Sequence, residues 1–243
     1  MTTITPDTKL ADIIVARPVL ASTMEKLGLD YCCGGQRSIS EAAAALGLDP
    51  HTTIEILEAI PESMNADETT SVHDDWTGMS LTEMVDRLEV THHAYLKEAL
   101  PRLTELSSKV AEVHGDNHHE LIDVDRLTKA IRADLEPHMM KEEQILFPMV
   151  RQLDEATSAP DFHCGTLRNP ISVMMMEHDQ VGDLLQKIRT ATSAYSLPDD
   201  ACASYRALYE GLAELESDTH MHVHRENNIV FPAVIQAEAS QRS

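Results

Sequence analysis

HMMKEEQILFPMV, residues 138–150, and HVHRENNIVFPAV, residues 222–234, spell one pattern twice: a histidine, a glutamate four residues on, and a Phe-Pro pair five residues after that. Apolar residues lead into each run at steps of three or four: Val124, Leu127, Ile131 and Leu135 before the first, and Tyr205, Leu208, Leu212, Leu215 and Thr219 before the second. His138 and Glu142 continue the first stripe, which goes on to Ile145 or Leu146 and Met149. His222 and Glu226 continue the second, towards Ile229 and Ala233. Residues so spaced share one face of a helix, so two helices are each expected to aim an imidazole and a carboxylate into the same interior. His220 and His224 lie two residues either side of His222, about 200° away on the helical wheel, and are expected to face solvent or a neighbouring helix.

Two further segments share this periodicity. In one, Ile171, Met174, His178, Val181, Leu185 and Ile188 form the stripe, and Glu177 falls off it. The other contains THHAYLKEALPRL, residues 91–103. There the stripe through Leu81, Val85, Leu88 and Leu103 slightly favours His92, whereas the line through Leu96 and Leu100 favours His93. Spacing also points to His93: it precedes His138 by 138 − 93 = 45 residues, and His178 precedes His222 by 222 − 178 = 44. Four amphipathic segments, about 80–113, 118–153, 169–193 and 199–237, are separated by HGDNHHE, ATSAPDFHCGTLRNP and YSLPDD. They predict an all-α protein built on an antiparallel four-helix bundle. Met174–Met176 read as core filler, and the Phe-Pro pairs as packing and helix-bend features.

Ahead of the bundle, residues 1–62 read as a small helical module, 63–79 as a polar linker, and 80–243 as the bundle domain. Ser38 and Glu41 have capping-box spacing. The module carries DYCCGGQRS, where Cys32 and Cys33 precede two glycines. Such a thiol pair can bind a soft metal, undergo redox chemistry or close into a vicinal disulfide; two small buried residues at a helix end are the plainer alternative. The 243 residues include 41 acidic and 19 basic side chains, a net charge of −22, which argues against nucleic acid or an anionic membrane as partner. No apolar run approaches the roughly 18 residues of a membrane span, the start lacks a secretory signal, and the four cysteines lack the spacing of a disulfide framework. A reducing cytoplasm is the expected compartment.

A carboxylate in a bundle core is costly unless paired or coordinated. A lone core histidine is usually structural, and a single His-x-x-x-Glu is a weak signal. Two copies, each in phase with an apolar stripe, point to metal. Four histidines and two glutamates on four helices suit a two-metal site whose carboxylates bridge, with mixed nitrogen and oxygen donors that fit iron or manganese and admit zinc.

Five stretches together, LDYCCGGQRSISEAA, VHGDNHHEL, HMMKEEQILFPM, CGTLRNPISVMMMEHD and HVHRENNIVFP, resemble the repair-of-iron-centres proteins, the YtfE/ScdA family of iron–sulfur cluster repair proteins. The resemblance covers nearly the whole chain. It implies a hemerythrin-like bundle preceded by the Cys-Cys-Gly-Gly module, and a centre of two iron ions with an oxo or hydroxo bridge. It implies the ligands His93, His138, Glu142, His178, His222 and Glu226, with Leu100-Pro101 selecting His93 over His92. It also implies repair of clusters damaged by nitric oxide or peroxide, with damaged iron–sulfur proteins as partners and room for a homodimer. Iron donation, with Cys32 and Cys33 in redox or iron transfer, is the expected mode. The rivals are a di-iron reductase of nitric oxide or peroxide, and a hemerythrin-like carrier or sensor of oxygen or nitric oxide.

Overall fold

The computed structural model describes residues 4–61 and 76–242, so most of the expected linker lies outside the described residues. Among these residues the only β pairing is an isolated bridge between Lys9 and Ser38; the protein is all-α. The chain divides into two compact units, Met1–Met79 with Val223–Pro232, and Ser80–His222 with Ala233–Ser243.

In the first unit, α1 (Leu10–Ala16) stops just before Pro18, which opens a short 3-10 turn. Helix α2 (Ala21–Leu27) ends on Gly28, whose φ of 75° is the left-handed conformation that glycine adopts without strain. Helix α3 (Ile39–Ala45) starts with the expected capping box between Ser38 and Glu41. Helix α4 (Pro50–Glu58) starts with Asp49 accepting from the Thr52 amide and proline in the first turn. Leu10, Ile14, Leu20, Met24, Ile39 and Leu57 are all fully buried.

The bundle is made of long rods, three of which carry a wide turn. Helix α5 (Leu81–Leu88) runs through a π turn, Glu89–His93, into α6 (Ala94–His114). Helix α7 (Glu120–Lys141) runs through a second π turn, Glu142–Leu146, into α8 (Phe147–Glu155). Helix α9 (Arg168–Ala191) is unbroken. Helix α10 (Ala203–Arg225) continues through Glu226–Val230 into α11 (Phe231–Arg242). Leu100, Leu103, Ile131, Leu135, Leu185, Ile188, Leu208 and Leu212, drawn from α6, α7, α9 and α10, form one buried core. Each fully buried leucine contributes about 2 kcal/mol by leaving water.

A π turn holds one residue more than an α turn, and it shifts the stripe beyond it. Leu146 is accordingly buried while Ile145 is 47% exposed, and the line after Glu226 passes through Val230 and Val234 instead of Ile229 and Ala233. The methionine run is corrected in part: Met174 is core, but Met175 and Met176 are exposed. No helix among the described residues is long and apolar enough to cross a membrane.

Candidate metal centre

Five of the six expected ligands converge inside the bundle unit. The Nε2 atoms of His93 and His222 lie 3.3 Å apart, and those of His138 and His178 lie 3.0 Å apart. Glu142 joins the two pairs: its Oε2 is 3.4 Å from His93 Nε2 and its Oε1 is 3.4 Å from His138 Nε2. All five side chains are buried. The donor atoms of His93, Glu142 and His222 lie within 4.8 Å of one another, as do those of His138, Glu142 and His178. Glu226 stands one helical turn beyond His222 on the same continuous rod, and its side chain is also buried.

The outer edges of two rings explain how they are held. His93 Nδ1 is 2.8 Å from Glu143 Oε1, and Glu143 also takes hydrogen bonds of 2.6 and 2.8 Å from Lys97. His138 Nδ1 is 2.9 Å from Glu177 Oε2, and Glu177 is in turn bound by Lys141. An ionised carboxylate only accepts, so each of these rings carries its hydrogen on Nδ1 and turns the Nε2 lone pair inward. Burial opposes ionisation of Glu143 and Glu177, but hydrogen bonds from Lys97 and His93, and from Lys141 and His138, outweigh it and hold both below the usual carboxylate range. Phe147 stacks on the His93 ring at 5.6 Å between centroids. Ring nitrogens and a carboxylate that present lone pairs to one buried volume fit a cation of borderline softness.

The sequence did not reveal Glu143, Glu177, Lys97 or Lys141. Each lies off the apolar stripe, where a charged residue ordinarily reads as a solvated face. The available signal was their place one residue from a stripe histidine or glutamate, or one turn away. His92 is buried too, but its Nδ1 is 2.8 Å from Asp218 Oδ1 and it lies outside the converging donors.

The first unit holds the cysteine pair in a loop organised by Asp30. Asp30 Oδ1 accepts from the amides of Cys32 (3.1 Å) and Cys33 (3.0 Å), and Oδ2 from that of Gly34 (2.8 Å). Cys32 Sγ lies 3.1 Å from Asp30 Oδ1 and 4.0 Å from Cys33 Sγ, and donor atoms of all three residues fall within 4.8 Å. The hydrogen bond with Cys33 and then burial push the Cys32 thiol above its ordinary range. Within this unit, Asn228 Nδ2 donates to Cys32 O (2.9 Å) and Tyr31 O (3.3 Å), and its Oδ1 accepts from Gln36 Nε2 (3.1 Å). A Cβ on Gly35 would lie 2.5 Å from the backbone oxygen of Tyr31 and 2.8 Å from that amide, so only glycine admits the approach. His224 is buried with its ring edge-on to Tyr31, so of the two environments expected for it, solvent is excluded.

Fold and donors together define a hemerythrin-type metal-binding protein. Residues 84–234 match the hemerythrin HHE cation binding domain, and residues 6–61 match the ScdA_N family, a domain of unknown function (DUF542). The iron–sulfur cluster repair protein YtfE of Escherichia coli O157:H7 is 34% identical over 232 residues, which is 96% of this chain and 98% of that protein. The proteins of the same name from Escherichia coli O8 (strain IAI1) and Shigella boydii serotype 4 (strain Sb227) match to the same extent. The chain belongs to the YtfE family of iron–sulfur cluster repair proteins.

Proposed function

We propose that the bundle holds two iron ions, one at His93 and His222 and one at His138 and His178, with Glu142 and Glu226 as bridges. We further propose that the protein repairs iron–sulfur clusters damaged by nitrosative or oxidative stress by giving up this iron. The observation that carries the reading is Glu142, whose two oxygens face ring nitrogens of different histidine pairs. Glu226 is assigned by its place: it is buried and four residues beyond His222, as Glu142 is four beyond His138. Six side chains would hold two ions without filling every coordination position, as sites that act on an outside ligand do and closed structural sites do not.

The chain's own residues have separate tasks. Glu143 and Glu177 fix the tautomers of His93 and His138, and Lys97 and Lys141 keep those carboxylates charged. Iron bound by the six proposed ligands would be the cargo of repair, handed on in its ferrous form after reduction by an external electron donor. Cys32 and Cys33, with Asp30 beside them, offer two sulfur donors and one oxygen donor suited to ferrous transfer. The four cysteines are free thiols, which suits a reducing cytoplasm. The partners are damaged iron–sulfur proteins.

The test is reactivation of a hydratase whose cluster has been damaged by nitric oxide, using protein loaded with isotopically labelled iron. Donation predicts label in the restored enzyme and a matching loss from the donor. A Cys32→Ala, Cys33→Ala double variant is expected to hold its iron and fail to restore activity. Reactivation with the label retained over many turnovers would contradict donation and favour reductive removal of nitric oxide.

A further inference from the structure

His222 is braced differently from its partner. His93 has the Glu143 carboxylate at its edge and the Phe147 ring on its face, 5.6 Å away and 18° from parallel. On the face of His222 lies another imidazole, His92, with centroids 5.4 Å apart and planes 9° from parallel. His92 is 4% exposed, and its Nδ1 is tied to Asp218 Oδ1 at 2.8 Å, which fixes the plane of the stacking ring. Asp218 lies on α10, one turn before His222, so the brace is anchored on the same helix as the ring it supports.

We propose that His92 is a positioning residue for His222: held by Asp218, it sets the ring plane of His222 by stacking, as Phe147 does for His93. It is therefore not a seventh ligand. The inference rests on the two-iron reading of the bundle. It follows that the ion at His93 and His222 depends on His92, and the ion at His138 and His178 does not.

The experiment measures iron release from the full-length, iron-loaded chain to a chromogenic ferrous chelator under reducing conditions, together with the visible spectrum before challenge. His92→Ala is expected to release half of its iron about tenfold or more faster than the parent, the lower range for losing an outer-shell partner, and the other half at the parent rate. Its spectrum is expected to shift. His92→Phe restores a flat ring without the Asp218 tie and is expected to return both readouts part of the way to the parent. Parent-like release and spectrum in His92→Ala would overturn the inference. So would His92→Phe behaving like His92→Ala, because a ring nitrogen, and not the ring face, would then be what matters. A parent chain with no iron at all would overturn the two-iron reading itself, and this inference with it.

Discussion

At the scale of single residues, groups that would touch no metal hold the rings that would. Glu143 accepts from His93 on one side and Lys97 on the other, and it is these hydrogen bonds that keep the carboxylate ionised. Glu143→Gln keeps an acceptor for His93 Nδ1 but removes the charge that raises the basicity of the ring. The expected outcome is about 10- to 100-fold weaker iron binding, measured by competition with a chelator, at unchanged thermal stability of the iron-free chain. Equal affinity in the variant would mean that the His93–Glu143 contact is only structural. The proposed ligands could be singled out in the sequence because they interrupt an apolar stripe, where a carboxylate needs a reason to be. Their outer partners could not, because a glutamate on the polar face looks the same whether it meets water or a histidine.

At the scale of elements, the three π turns decide where side chains point. Each contains an expected ligand: His93 ends the first, Glu142 begins the second and Glu226 begins the third. A wheel with a constant α period loses one residue at each of them, which is why it leaned towards His92, left Ile145 and Leu146 undecided and ran on to Ile229. The spacing between the two halves of the chain pointed instead to His93, the histidine whose Nε2 meets Glu142 and His222. Elsewhere the elements followed their local signals, as at the Ser38 and Ser80 capping boxes. Packing between helices adds polar ties that periodicity does not show. Asp125 on α7 accepts from Ser107 and Ser108 of α6, both at 2.9 Å, and from Lys129 at 2.7 Å. Burial opposes its ionisation, but the hydrogen bonds from Lys129, Ser107 and Ser108 outweigh it and lower its pKa. A depressed carboxylate stabilises the fold fully above its unfolded value, about 3.9, and stops doing so as pH falls through the lower folded value. Asp125→Ala is therefore expected to cost about 1–2 kcal/mol in urea unfolding at pH 7, with the gap to the parent closing in strong acid. A gap independent of pH would assign the loss to packing.

At the scale of the whole molecule, sequence and structure locate two sets of metal-capable donors. One is the ring of histidines and Glu142 in the bundle, and the other is Asp30, Cys32 and Cys33 in the amino-terminal unit. The family relationship takes in both units, since the relatives match over 96% of this chain. Asp30 escaped the sequence reading because an aspartate before a turn ordinarily caps backbone amides, which this one also does. The account rests most heavily on the metal centre. The most direct test is therefore the metal content and visible spectrum of the aerobically purified full-length chain, beside a His138→Ala, Glu142→Ala variant. The account predicts about two irons per chain with the absorption of a coupled ferric pair, both lost in the variant. An iron-free chain after iron-replete expression, or a variant that keeps the parent's iron and spectrum, would contradict it.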